Sequence, residues 1–311
     1  MTTSLQALTR PKAGAAPFSR TKHAQIGLLL GLLGVVLVTA AFFGNLSAAG
    51  DSGTSAAQTL AWTFGLTTLG FGTVKMGIAV ILIGILVSLW TRVDSVQQSL
   101  PHLRAPAAAG PAIGSKINTP YGVAAATEVE PKPLPIHRMA KTMWAPMLAM
   151  GAMALVAGFI VSLAWSNAAG SGDATTAAAA WTQGLQFLGE GLLLSGISFL
   201  LGTILASLRE GGGRVQQSLG LTVQTLKMPT TAKIFIGLMM MGLMISVVQF
   251  VLYIVVANGV SDPAAWFAIL GPLREVGLGL LLAGIVMALA TIGNVLGFQF
   301  HRIRQICTIG S

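Results

Sequence analysis

Residues 62–100 read WTFGLTTLGFGTVKMGIAVILIGILVSLWTRVDSVQQSL, and residues 181–219 read WTQGLQFLGEGLLLSGISFLLGTILASLREGGGRVQQSL. Laid over one another without a gap, 19 of the 39 positions are identical. Trp62 falls on Trp181 and Gly65 on Gly184. Gly70 falls on Gly189, Gly72 on Gly191 and Gly77 on Gly196. Each copy is a long apolar run that ends in the same pentapeptide, Val-Gln-Gln-Ser-Leu. A fixed-period match of this kind marks an internal repeat, and the unit is worked out from here.

Working outward, the segment before each copy is also apolar. Lys22 and Lys141 coincide at the starts of the two units, and small polar loops around Asp51 and Asp173 separate the two runs of each unit. The unit is therefore a helix pair. A weaker third copy follows. A shift of 85 puts Trp266 on Trp181 and Glu275 on Glu190, and a shift of 88 puts Gly277 on Gly189, Gly279 on Gly191 and Gly284 on Gly196. The expected organisation is a tail at 1–23, a first repeat at 24–100, a flexible linker at 101–141, a second repeat at 142–220, and a third repeat with a short tail at 221–311. Pro131, Pro133 and Pro135 in the linker favour an extended chain.

Composition names the solvent. Of 311 residues, 54% are hydrophobic and 9% charged, against about 25% charged in a soluble domain. Six stretches meet the roughly 20 apolar residues that a bilayer crossing needs: 24–43, 66–90, 143–165, 184–208, 234–256 and 276–300. The first has a counterpart in the second repeat, which argues for a retained helix rather than a cleaved signal. The predicted fold class is all-α integral membrane, six transmembrane helices as three parallel two-helix repeats, in a ring or bundle of approximate threefold symmetry.

Charge placement gives the expected orientation. Of the 18 Lys and Arg residues, all but Lys75 and Arg274 fall in the tails and the two linkers, while the opposite loops hold Asp51, Asp173 and Asp262. Both termini should face the cytoplasm, in a bacterial plasma (inner) membrane. The net charge of +9 then follows from topology and contact with anionic lipid, not from nucleic acid.

No catalytic or cofactor constellation emerges. His23, His102, His137 and His301 all fall outside the spans, where they cannot ligate a haem within the bundle. Cys307 stands alone, and Gly211-Gly212-Gly213 lacks the Lys-Ser/Thr of a phosphate loop. No cofactor or metal is expected. The glycines recur seven apart, two helical turns, and form small faces for close packing: Gly65, Gly70, Gly72, Gly77, Gly184, Gly189, Gly191, Gly196, Gly277, Gly279 and Gly284. Asn45, Asn294 and Gln249 are expected as interhelical hydrogen-bonding groups.

The candidate site is a set of charges in or beside the spans, Lys75, Glu190, Arg274 and Glu275, because a charge at membrane depth is functional by default. The four sum to zero and invite an ion-paired cluster. Glu190 is 19 residues before Arg209, about 28 Å of helix, which places it near the outer boundary. Gln97, Gln98, Gln216 and Gln217 are candidate cytoplasmic docking residues.

The function expected is a non-enzymatic accessory or anchoring subunit of a larger membrane complex. The alternative is a small-solute or ion transporter or channel using the charges. The helix count is similar to that of mitochondrial-type carriers, but the Pro-x-Asp/Glu-x-x-Lys/Arg motif of their odd helices is not found here, so the resemblance ends at count and length. Partners expected are the lipid bilayer and other membrane subunits or itself.

Overall fold

A computed structural model describes residues 22–50, 53–99, 116–119, 122–128, 135–218, 224–226 and 228–308. The side chains of 91–99, 116–128, 173, 209–226, 297, 298 and 300–308 lie outside that description. Six helices make the bundle: α1 (Lys22–Ala48), α2 (Thr54–Ser99), α3 (Pro135–Ala168), α4 (Asp173–Ser218), α5 (Thr230–Ala257) and α6 (Pro263–Thr308). Every one is long and apolar enough to cross a membrane. In lipid the backbone must satisfy its own hydrogen bonds, and a helix does so within one segment. That is why these apolar runs become helices even where Pro146 interrupts α3 and Pro272 interrupts α6.

The even helices each span 46 residues. At 1.5 Å per residue that is about 69 Å, more than twice the roughly 30 Å hydrocarbon core, so they project beyond it. Short connectors join α1 to α2, α3 to α4 and α5 to α6. Gly53, Gly170, Gly172 and Gly259 there have φ between +63 and +99°, a region that a Cβ disfavours. This end is called the connector end below, and the opposite one the linker end.

At the linker end lies a small antiparallel sheet of order β1-β2-β3, made of β1 (Lys116–Thr119), β2 (Gly122–Glu128) and β3 (Gln224–Leu226). Lys116 pairs with Ala125 and Thr119 with Gly122, and Glu128 pairs with Gln224. Residues 101–141, expected as a flexible linker, thus contribute two strands and the start of α3, and the second linker adds the third strand.

The helices do not surround an empty axis. Each odd helix packs most extensively on the even helix that follows it, and α4 packs on α2, α3, α5 and α6 as well. The first and third pairs share no comparable interface. The threefold ring is therefore replaced by an arrangement in which the middle pair lies between the other two, with α4 as the common neighbour. The most apolar stretch of α4 is 83% buried within protein, against 28% in α2, 28% in α6 and 17% in α1. The linker-end half of α4 lies in a mostly apolar core, where the buried hydroxyls of Ser198 and Thr203 donate to carbonyls of their own helix. Leu193, Ile197, Leu200 and Ile204 pack there with Leu148, Leu155, Leu86, Phe235, Met239 and Leu281.

Candidate functional site: a buried ion cluster on the central helix

α4 carries its buried carboxylate, Glu190, and its buried amide, Gln186, in the connector-end half. Glu190 stands 17 residues after the helix start and is 4% exposed. One carboxylate oxygen, Oε1, accepts from Lys75 Nζ of α2 at 3.0 Å, and the other, Oε2, accepts from Arg274 Nη2 of α6 at 3.0 Å. The Arg274 guanidinium also lies 5.7 Å from the centre of the Phe64 ring on α2, within cation–π range. One carboxylate therefore ties together one helix from each pair.

Glu275 does not join. It faces outward and is exposed, although it aligns with Glu190 in the sequence repeat. The cluster therefore holds two cations and one carboxylate, a net +1, where four charges were expected to cancel. The 100° step per residue explains this: adjacent residues on a helix cannot both face α4, and Arg274 takes the inward position.

Around the cluster lies a further set of buried polar groups, of which Gln249 was expected from the sequence as an interhelical hydrogen-bonding group. Tyr253 of α5 donates to Gln183 Oε1 at 3.2 Å. Gln249 donates to the Leu270 carbonyl of α6. Gln186, one turn before Glu190, is fully buried, and neither of its amide atoms has a hydrogen-bond partner among the described residues. Thr182 Oγ1, Gln249 Oε1 and Arg274 Nε are likewise unpartnered. A signal for this existed. The hydropathy of the six spans is lowest, at 2.0, in α4, so the least apolar span is the one that protein rather than lipid surrounds.

Other polar groups join helices directly. Thr63 donates to Asn45 Oδ1 at 2.5 Å, linking α2 to α1. Trp90 Nε1 donates to Ser207 Oγ at 3.1 Å, linking α2 to α4. Gln299 Nε2 donates to the Leu208 carbonyl at 2.7 Å, linking α6 to α4.

The glycines sort by partner. Gly70 and Gly77 of α2 face α1, and Gly189 and Gly196 of α4 face α3. Gly65 and Gly72 of α2 face Ser162 and Leu155 of α3, whereas Gly184 and Gly191 of α4 face Tyr253 and Ser246 of α5. Within each pair a glycine of the odd helix meets one of the even helix. A methyl group on Gly34 would lie 2.6 Å from the Gly70 carbonyl, one on Gly151 2.9 Å from that of Gly189, and one on Gly242 3.0 Å from that of Gly277. Such spacings leave no room for a side chain. Gly34, Gly151 and Gly242 were not among the expected packing residues. Gly279 meets nothing within 4 Å, and Gly284 is only loosely approached from α5.

Gln97, Gln98, Gln216 and Gln217 fall on the linker-end extensions of α2 and α4, and their side chains lie outside the described residues. Among the described residues, no three His, Cys, Asp or Glu side chains gather as a metal site. No protein family matches this chain, and no curated protein sequence or solved structure is detectably similar to it.

Proposed function

We propose that this chain is a non-enzymatic membrane subunit, accessory to or anchoring a larger complex, built from three parallel helix pairs. We place it in a bacterial inner membrane with both termini cytoplasmic. The observation that carries this is the Lys75–Glu190–Arg274 cluster, in which charges at membrane depth are engaged with one another across three helices. Charges committed in this way hold a scaffold in register. A buried pair is weak evidence for stability but good evidence for fixed geometry, since breaking it leaves an uncompensated charge.

The three-copy organisation draws support from the glycines. Corresponding residues take corresponding partners, the own-pair odd helix for Gly70 and Gly189 and the next pair's odd helix for Gly72 and Gly191. Gly279, their counterpart in the last unit, has no next pair to meet. Purification from native membranes in mild detergent tests the subunit function. Recovery at fixed stoichiometry with another membrane protein supports it. A monodisperse chain with no partner counts against it.

A second reading, transport of a small anion or other solute, is favoured by the net +1 of the cluster and by the unpartnered Gln186 amide. Buried polar groups without partners call for water or ligand. Uptake assays in proteoliposomes with chloride or proton indicators test it. Flux lost in Glu190→Gln, with unchanged folding, would favour transport over the scaffold.

A further inference from the structure

The first two even helices each present a pair of glycines to the unit that follows. Gly65 and Gly72 of α2 meet Ser162 and Leu155 of α3, and Gly184 and Gly191 of α4 meet Tyr253 and Ser246 of α5. Residue numbers rise on one helix as they fall on the other, so the neighbour runs antiparallel in both cases. One turn before the second glycine of each pair stand Thr68, 3% exposed, and Phe187, fully buried. In the third unit, at the shift of 88 that matches the glycines, Pro272 and Gly279 take the glycine positions and Glu275 takes that of Phe187. All three are exposed, and Gly279 meets nothing within 4 Å. Leu282, Val286 and Leu289 continue the stripe toward the linker end, each more than half exposed. The face that receives the next odd helix in the first two units is thus open in the third, and it carries a carboxylate. Among the described residues no Lys or Arg pairs with Glu275, since both ion pairs belong to Glu190.

We propose that this face of α6 docks one transmembrane helix of a different membrane protein, antiparallel to α6 and bearing a Lys or Arg level with Glu275. The proposal rests on the subunit reading and names the surface and the chemistry of the partner. Charge decides the occupant. A carboxylate facing outward at membrane depth calls for a cation, and a glycine one turn away lets a helix approach closely. A second copy of this chain does not supply that cation. A twofold contact sets the same patch against itself, which brings Glu275 against Glu275. If the units instead continued from chain to chain, α1 would fill the face, and its Lys22 and His23 stand at the linker end. Lys75 and Arg274 are taken by Glu190.

The test recovers the full chain from native membranes in mild detergent and counts the membrane protein that accompanies each chain. Glu275→Lys and Gly279→Leu should each lower that recovery about tenfold, the worth of one interhelical contact. Changing the partner's basic residue to Glu should restore recovery with Glu275→Lys. Both altered residues face outward, and matching melting temperatures of the isolated variants verify their folding. A partner retained in full by both variants overturns this docking face and leaves the subunit reading standing. So does a partner with no Lys or Arg in the outer half of its span. A chain recovered alone, or only with copies of itself, overturns both.

Discussion

Helices α2 and α4 share 19 of 39 aligned residues and have the same length, yet one lies mostly against lipid and the other is enclosed. The substitutions between them follow that difference. At the position where α4 has Glu190, 4% exposed, α2 has Phe71, 48% exposed. Gln183 and Gln186 of α4 replace Phe64 and Thr67, and Leu194 replaces Lys75. The central helix has gained polar groups that its neighbours can engage. The peripheral helix keeps an aromatic ring toward lipid and sends Lys75 inward. Both copies retain the glycines, because close approach of backbones is required in either setting. A shared scaffold thus separates from a position-specific set of charges.

The largest effect expected is at the carboxylate. Glu190→Gln leaves Lys75 and Arg274 without a counter-charge, and breaking a buried pair costs about 3–5 kcal/mol. The lower end applies here because both cations are partly exposed. Melting in detergent should show it as a clear fall in Tm. The reciprocal change, Phe71→Glu, places a carboxylate on the lipid-facing side of α2. Insertion efficiency should drop, by less than the roughly 2.5–3.5 kcal/mol of a charge at the helix centre because this position lies near the outer boundary, as read in a membrane-insertion assay. If Phe71→Glu inserts normally, α2 and α4 do not differ in environment as described.

A smaller effect separates two corresponding glycines. Gly191→Val drives a side chain into Ser246 of α5 and should cost about 1–3 kcal/mol through overpacking. Gly279→Ala meets open space and should be neutral or stabilise by up to about 1 kcal/mol through helix propensity. Equal losses at both sites would mean that the third unit has a packing partner beyond the described residues.

The sequence shows the helices plainly, since a run of 20 apolar residues in lipid has few structures open to it. It also shows Lys75, Glu190 and Arg274, because charges are rare there. It does not show which of Arg274 and Glu275 turns inward, which depends on the rotation of α6 against α4. Nor does it show how the helices pack around α4, beyond marking that span as the least apolar of the six. That follows from lateral packing among helices that are apolar on every side, where hydropathy gives no preferred face. Glycines Gly34, Gly151 and Gly242 sit on odd helices that diverge between copies, so the repeat alignment does not expose them. The sheet at the linker end joins residues far apart in sequence, and its strands are three to seven residues long, too short for a periodic signal.

The central claim is that Lys75 and Glu190 act as one unit. A double-mutant cycle of Lys75→Met and Glu190→Gln, followed by thermal unfolding in detergent, measures this directly. Each single change should destabilise, and the double change should recover part of the loss, with a coupling of about 1–3 kcal/mol. Additive effects, or single variants that melt like the unaltered protein, would contradict it.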